Sequence, residues 1–124
     1  MLRVVILEHQ YWLGRCIVSP LKHVSPFDLY EQAQQPDSLF LEIGKAIAMM
    51  TRVFRSLYGM SYPNIFQLGN LTQDNTGKPT ADMKYHHVHY HILPRYEHPV
   101  TTHGQTFTDK QWGQPLNIDQ SSGY

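Results

Sequence analysis

Cysteine is almost absent: Cys16 is the only one in 124 residues. That excludes an internal disulfide framework and a cysteine-built zinc site, and it suits a reducing compartment. Net charge is absent too, since ten Lys plus Arg balance ten Asp plus Glu. A chain so balanced is not built to hold a nucleic-acid backbone by counterion release. Long apolar runs are missing as well. Val4 to Leu7 is a representative one, far short of a membrane span or a signal-peptide core. The expectation is a soluble, cytoplasmic, single domain over 1–124, and 41% hydrophobic residues give it a core without staples. What is present in excess is histidine: five of eight lie between His86 and His98.

Leu2 to Leu7 is rich in β-branched residues and reads as a strand. Gly14 to Ser19 reads as a second, stopped by Pro20 and antiparallel to the first across a short turn. Ser25-Pro26-Phe27-Asp28 is a helix start, with a serine cap and proline at the first helical position. That helix is short, because the Gln-rich stretch to Pro36 has no apolar periodicity. A longer helix follows from Asp37 or Ser38 to a stop at Gly59. Its apolar stripe runs through Leu39, Ile43, Ala46, Ile47, Met50, Val53, Phe54 and Leu57. Strands are expected at Asn64 to Leu68 and Tyr85 to Leu93, the latter ended by Pro94, with a polar loop between them. Beyond a core of about 1–96 the tail is polar. Phe107, Trp112 and Leu116 fold part of it back, while Ser121 to Tyr124 fray. The fold class is α+β: an antiparallel sheet of about five strands carrying one long and one short helix.

His87-Val88-His89-Tyr90-His91-Ile92-Leu93 is the segment with chemistry. Strand alternation puts His87, His89 and His91 on one face, roughly 6.6 Å apart at about 3.3 Å rise per residue. Val88, Tyr90 and Ile92 then anchor the strand on the helix layer. Imidazole is nucleophilic and largely neutral near pH 7, so it attacks phosphorus without a strong base. Neighbouring imidazoles can fix its tautomer, bind phosphate oxygens or protonate a leaving group.

The same seven residues fit the His-φ-His-φ-His-φ-φ signature of the histidine triad family of nucleotide hydrolases and transferases. Pro94-Arg95 resembles the Leu-Pro-Arg continuation of its dinucleoside polyphosphate hydrolases. Ile17 to His23 resembles the family's strand ending in Pro-Lys-x-His, and Leu68-Gly69-Asn70 resembles a Leu-Gly-Asn found ahead of the triad. The resemblance spans about residues 4 to 96. It implies hydrolysis or transfer at the α-phosphate of a dinucleoside polyphosphate or nucleoside phosphoramidate, through a nucleotidyl-histidine intermediate. His89 would be the nucleophile, His91 the contact to a phosphate or leaving-group oxygen, and His87 an orienting residue to which His23 hydrogen-bonds. Asn70 would contact phosphate or leaving group, and Glu8, at the first strand, the ribose hydroxyls. A homodimer with joined sheets is implied. No cofactor is, beyond Mg²⁺ accompanying a polyphosphate, and neither nucleic acid nor membrane is a partner.

Two departures bear on the substrate. Asp82-Met83-Lys84 stands where many members place Gly-Gln-Ser or Gly-Gln-Thr, which leaves Lys84 as either a substitute phosphate contact or a solvated lysine. The stretch from Asn70 to His87 is also long, giving a lid or a larger leaving-group pocket. A competing reading is a metal site, because His-x-His is a ligand spacing and Glu8, His98 or His103 can be offered as further ligands. A third is a nucleotide-binding module without turnover, against which the intact middle histidine argues. His86, His98 and His103 are expected to be exposed. Trp112 is a core or interface anchor or a stacking platform, and Tyr11-Trp12 serves either adenine stacking or a subunit contact.

Overall fold

The computed structural model describes residues 1–31 and 37–115. Four strands, β1 (Leu2–Ile6), β2 (Cys16–Pro20), β3 (Tyr62–Phe66) and β4 (Tyr90–Arg95), form one antiparallel sheet in the order β1-β2-β4-β3. Two helices accompany it: α1 (Pro26–Tyr30) and α2 (Ser38–Tyr58). The α+β class holds, but the sheet has four strands rather than about five. After Tyr96 the chain leaves it and pairs with itself as a hairpin of β5 (Val100–Thr102) and β6 (Gln105–Phe107). Leu116, the chain end at Ser121 to Tyr124 and the Gln-rich stretch 32–36 lie outside the described residues.

Local chemistry sets the helix ends. The Ser25 hydroxyl accepts the Asp28 N–H, and Pro26 occupies the first helical position. Gly59 closes α2 in the left-handed conformation, at φ 66°, with its N–H on the Arg55 carbonyl and the Met60 N–H on that of Phe54. The apolar stripe is buried at Leu39, Ile43 and Phe54 and half-buried at Ala46, Ile47 and Met50. Val53 and Leu57, expected on the buried face, are exposed. Leu57 overhangs because 21 helical residues span about 31 Å, against about 17 Å of five-residue strand, whereas Val53, next to the buried Phe54, lies at the margin of the stripe. Phe54 meets the sheet end at Gly14, where φ is +91° and an added Cβ would lie 2.8 Å from the ring, so only glycine fits.

β2 ends at Pro20 as expected, but Pro94 does not end β4: it lies within the strand, opposite Pro63. Two residues that lack an N–H face each other there. β2 no longer runs beside β4 at that point, its pairing ending at Ile92.

The start of β4 departs most from expectation. Met83–Tyr85 is a 3₁₀ turn capped by the Asp82 carboxylate, and residues 86–89 precede the ladder. Their donors are taken elsewhere: the Val88 N–H by the Val24 carbonyl, the His89 N–H by the Gln67 side-chain oxygen. Side-chain alternation nevertheless persists. Val88 packs with Val24, Leu29, Leu39 and Ile43, and Ile92 packs with Cys16, Val18 and Phe54 on the helix side. Burial pushes the Cys16 thiol up to about 11, so it is a core residue and not a nucleophile.

Candidate active site

The triad lies on the sheet face turned away from α2. His87 is held by both ring nitrogens: Nδ1 accepts the Val24 N–H at 3.2 Å and Nε2 donates to the Pro20 carbonyl at 2.9 Å. That pattern defines a neutral ring protonated on Nε2. Burial holds its pKa below the ordinary histidine value, and the charges of His23, Arg3 and His89 lower it further, against the pull of the Pro20 carbonyl. His23 is exposed and stacks on the His87 ring at 5.4 Å. The expected hydrogen bond between them does not form, because main-chain groups have claimed both His87 nitrogens.

His89 is oriented by the same neighbour through its backbone. Its Nδ1 lies 2.8 Å from the His87 carbonyl oxygen, which only accepts, so Nδ1 carries the proton. In the neutral ring the lone pair is then on Nε2. The His91 ring stands edge-on to His89 at 5.1 Å and lies flat on Phe66 at 4.9 Å. His91 is 3% exposed, and burial, then His89 and Arg15, push its pKa down to about 4. It is therefore neutral at pH 7, a hydrogen-bonding imidazole rather than an imidazolium.

The other expected site residues are placed unevenly. Asn70 sits in a 3₁₀ turn, Gly69–Leu71, and lines a cavity together with Gln67. Glu8 is exposed, beyond the last residue of β1. Lys84 is exposed on the 3₁₀ turn, with its ammonium 3.8 Å from the Asp82 carboxylate and over the Tyr85 ring. Those contacts fit the solvated lysine better than a phosphate contact. His86 is buried, not exposed: its Nε2 donates to the Thr80 carbonyl at 2.7 Å and ties the long loop down. His98 and His103 are exposed as expected, and Trp112 is 39% exposed. Among the described residues no three His, Cys, Asp or Glu side chains gather as a metal site.

Three further residues belong to this region. Arg3 pairs with Ser19 across β1 and β2, and its Nε donates to the Ser19 hydroxyl at 3.2 Å. Continuing the β2–β4 register past Val18 opposite Tyr90 brings Ser19 level with His89. Arg3 therefore shares the triad face. Arg15 is fully buried beside His91, its guanidinium 5.8 Å from the Trp12 ring centre. Gln67 accepts the His89 N–H and donates to the Tyr30 hydroxyl. Arg3, within β1, and Arg15, one residue ahead of β2, reach this face through the register of β1, β2 and β4.

No family model, curated protein or solved structure matches the chain. Among the described residues no helix is long and apolar enough to cross a membrane.

Proposed function

We propose that the protein is a nucleotide hydrolase or nucleotidyl transferase of the histidine triad type, acting at the α-phosphate of a dinucleoside polyphosphate or nucleoside phosphoramidate. One observation carries this reading: the His87 carbonyl fixes the Nδ1 proton of His89 and leaves Nε2 as the nucleophilic atom. Nε2 forms a bond to the α-phosphorus as the bond to the leaving group breaks, the leaving group keeping the electron pair. Neutral His91 supplies a hydrogen bond to the departing atom or a phosphate oxygen. Water then attacks phosphorus, the P–N bond breaks, and the nucleoside monophosphate leaves with the His89 ring restored. The test is intact-protein mass spectrometry after brief quenched exposure to dinucleoside polyphosphates and nucleoside phosphoramidates. A nucleotide-sized adduct on the native chain is the expected result. Neither adduct nor released monophosphate with any of them overturns the reading.

Arg3 is the phosphate contact in this reading, taking the place proposed for Lys84 by sequence. Its guanidinium keeps free donors after bonding Ser19, on the face of His89. Arg3→Met is expected to raise KM for a polyphosphate roughly tenfold, the scale of one charge-assisted hydrogen bond, and to flatten the salt dependence of KM. An unchanged KM removes Arg3 from the site.

The homodimer also belongs to this proposal. β3 is an edge of the sheet, with β4 its single neighbour among the described residues, and it exposes Tyr62 and Ile65. An open apolar edge invites a second strand. Ile65→Lys should convert a dimer into a monomer in sedimentation; a native chain that sediments as a monomer refutes the joined sheets.

A further inference from the structure

Between α1 and the loop from Gly69 to His86 lies a cavity of about 600 Å³, within the roughly 300–1,000 Å³ of small-molecule sites. One wall is aromatic: Phe27 and Tyr30, three apart on α1 and so on one helix face, are 57% and 46% exposed. The facing wall is apolar, made by Pro79, Ala81 and Met83. Among the described residues no acid, lysine or arginine lines it, so the group it takes is uncharged. Its polar lining is the amides of Asn70 and Gln67, the Tyr30 hydroxyl, Thr80 and His86, whose Nε2 is already spent on the Thr80 carbonyl. Amides present donors and acceptors together, which suits a ring bearing both on its edge.

The facing wall is built in advance. Gln73 bridges Pro79, and the Asp74 carboxylate accepts the Thr76 and Lys78 N–H groups and the Thr76 hydroxyl, which together hold its pKa below the usual carboxylate range. The buried His86 then fastens Thr80. Gln67 is the partition between cavity and triad. Its oxygen holds the His89 N–H at 2.8 Å and its nitrogen donates to the Tyr30 hydroxyl at 2.8 Å. A ring in the slot therefore rests against the side chain that positions the His89 backbone.

We infer that this cavity is a leaving-group subsite for a neutral, planar, hydrogen-bonding ring of nucleobase size, stacked on Phe27 and Tyr30. The inference rests on the reading of His89 as the phosphorus nucleophile, since it assigns the slot to the group that departs. It also makes the long loop a wall of that subsite rather than a mobile lid.

Two ligands that differ only by the second nucleoside test it: diadenosine tetraphosphate and adenosine 5′-tetraphosphate. Turnover is followed as the kcat/KM ratio of the pair, and binding by calorimetry with non-hydrolysable methylene-bridged forms. The native protein is expected to favour the dinucleotide by about tenfold in both measures, the scale of one base stacked on aromatic side chains. Ala81→Trp, which fills the slot from an exposed position, and Phe27→Ala, which removes one stacking face, should each bring the ratio close to one. A native ratio near one, or a ratio that neither variant moves, overturns the subsite. If neither compound is turned over but the binding ratio behaves as described, the catalytic reading falls and a ring-binding cavity remains.

Discussion

His89→Ala should lower turnover at least roughly a thousandfold while changing nucleotide affinity little, as expected when a nucleophile is removed from an otherwise intact site. The surroundings of His89 explain why the loss is confined to chemistry. Its ring is half-buried and its main-chain N–H stays bonded to Gln67 whatever side chain it carries. The neighbouring His87 ring is held by Pro20 and Val24, and His91 by Phe66. None of these supports passes through the His89 imidazole. The same variant should give no nucleotide adduct in the quenched mass spectrum. An alanine variant that keeps more than a tenth of the native rate removes His89 from the nucleophile's role. One that loses affinity in step with rate gives His89 a binding role in place of the nucleophile's.

The three histidines differ by environment more than by spacing, and that part was not readable from the chain. Alternation put His87, His89 and His91 on one face, and the face is as expected even though the ladder begins only at Tyr90. What alternation could not give was the set of partners for residues 86–89. Val24, Pro20 and Gln67 arrive from segments more than twenty positions away. Helix ends were legible because caps are local: Ser25 and Gly59 act within a few residues of themselves. The β5–β6 hairpin was missed for the opposite reason. Two three-residue strands of mostly polar side chains carry no period to detect, and they turn at His103-Gly104, both at positive φ. Arg3 and Arg15 were invisible as site residues because membership of the triad face depends on register across β1, β2 and β4. Glu8 is displaced because β1 ends at Ile6, two residues short of it.

Arg95 shows how a residue read through a motif acquires its role from the fold. Its guanidinium is 5% exposed and grips the Asp109 carboxylate, itself 2% exposed, with Nε at 2.6 Å and Nη2 at 3.1 Å. Nη2 also donates to the Gln111 carbonyl, and the Tyr96 N–H adds to Asp109. The pair therefore clasps the segment after β6 to the end of β4, and it supplies the folding back that Phe107 and Trp112 promised. Asp109→Ala should destabilise the protein by about 3 kcal/mol, because it leaves a buried guanidinium without its counter-charge. A fall in Tm of roughly 10 °C follows for a chain of this size. Arg95→Met/Asp109→Leu should cost less than either single change, since no charge is then stranded. The pH dependence has a definite sign. Burial raises the Asp109 pKa, but the hydrogen bonds and charge of Arg95, with the Gln111 and Tyr96 N–H groups, outweigh it and hold the pKa below its ordinary 3.8. A depressed folded-state pKa contributes stability above the unfolded value and loses it as pH falls through the folded one. The gap in stability between native protein and Asp109→Ala should thus be constant from pH 7 to pH 5 and close below about pH 4, as chemical denaturation at each pH would show. A gap that persists undiminished at pH 2 would mean that the carboxylate's charge is not what holds the clasp.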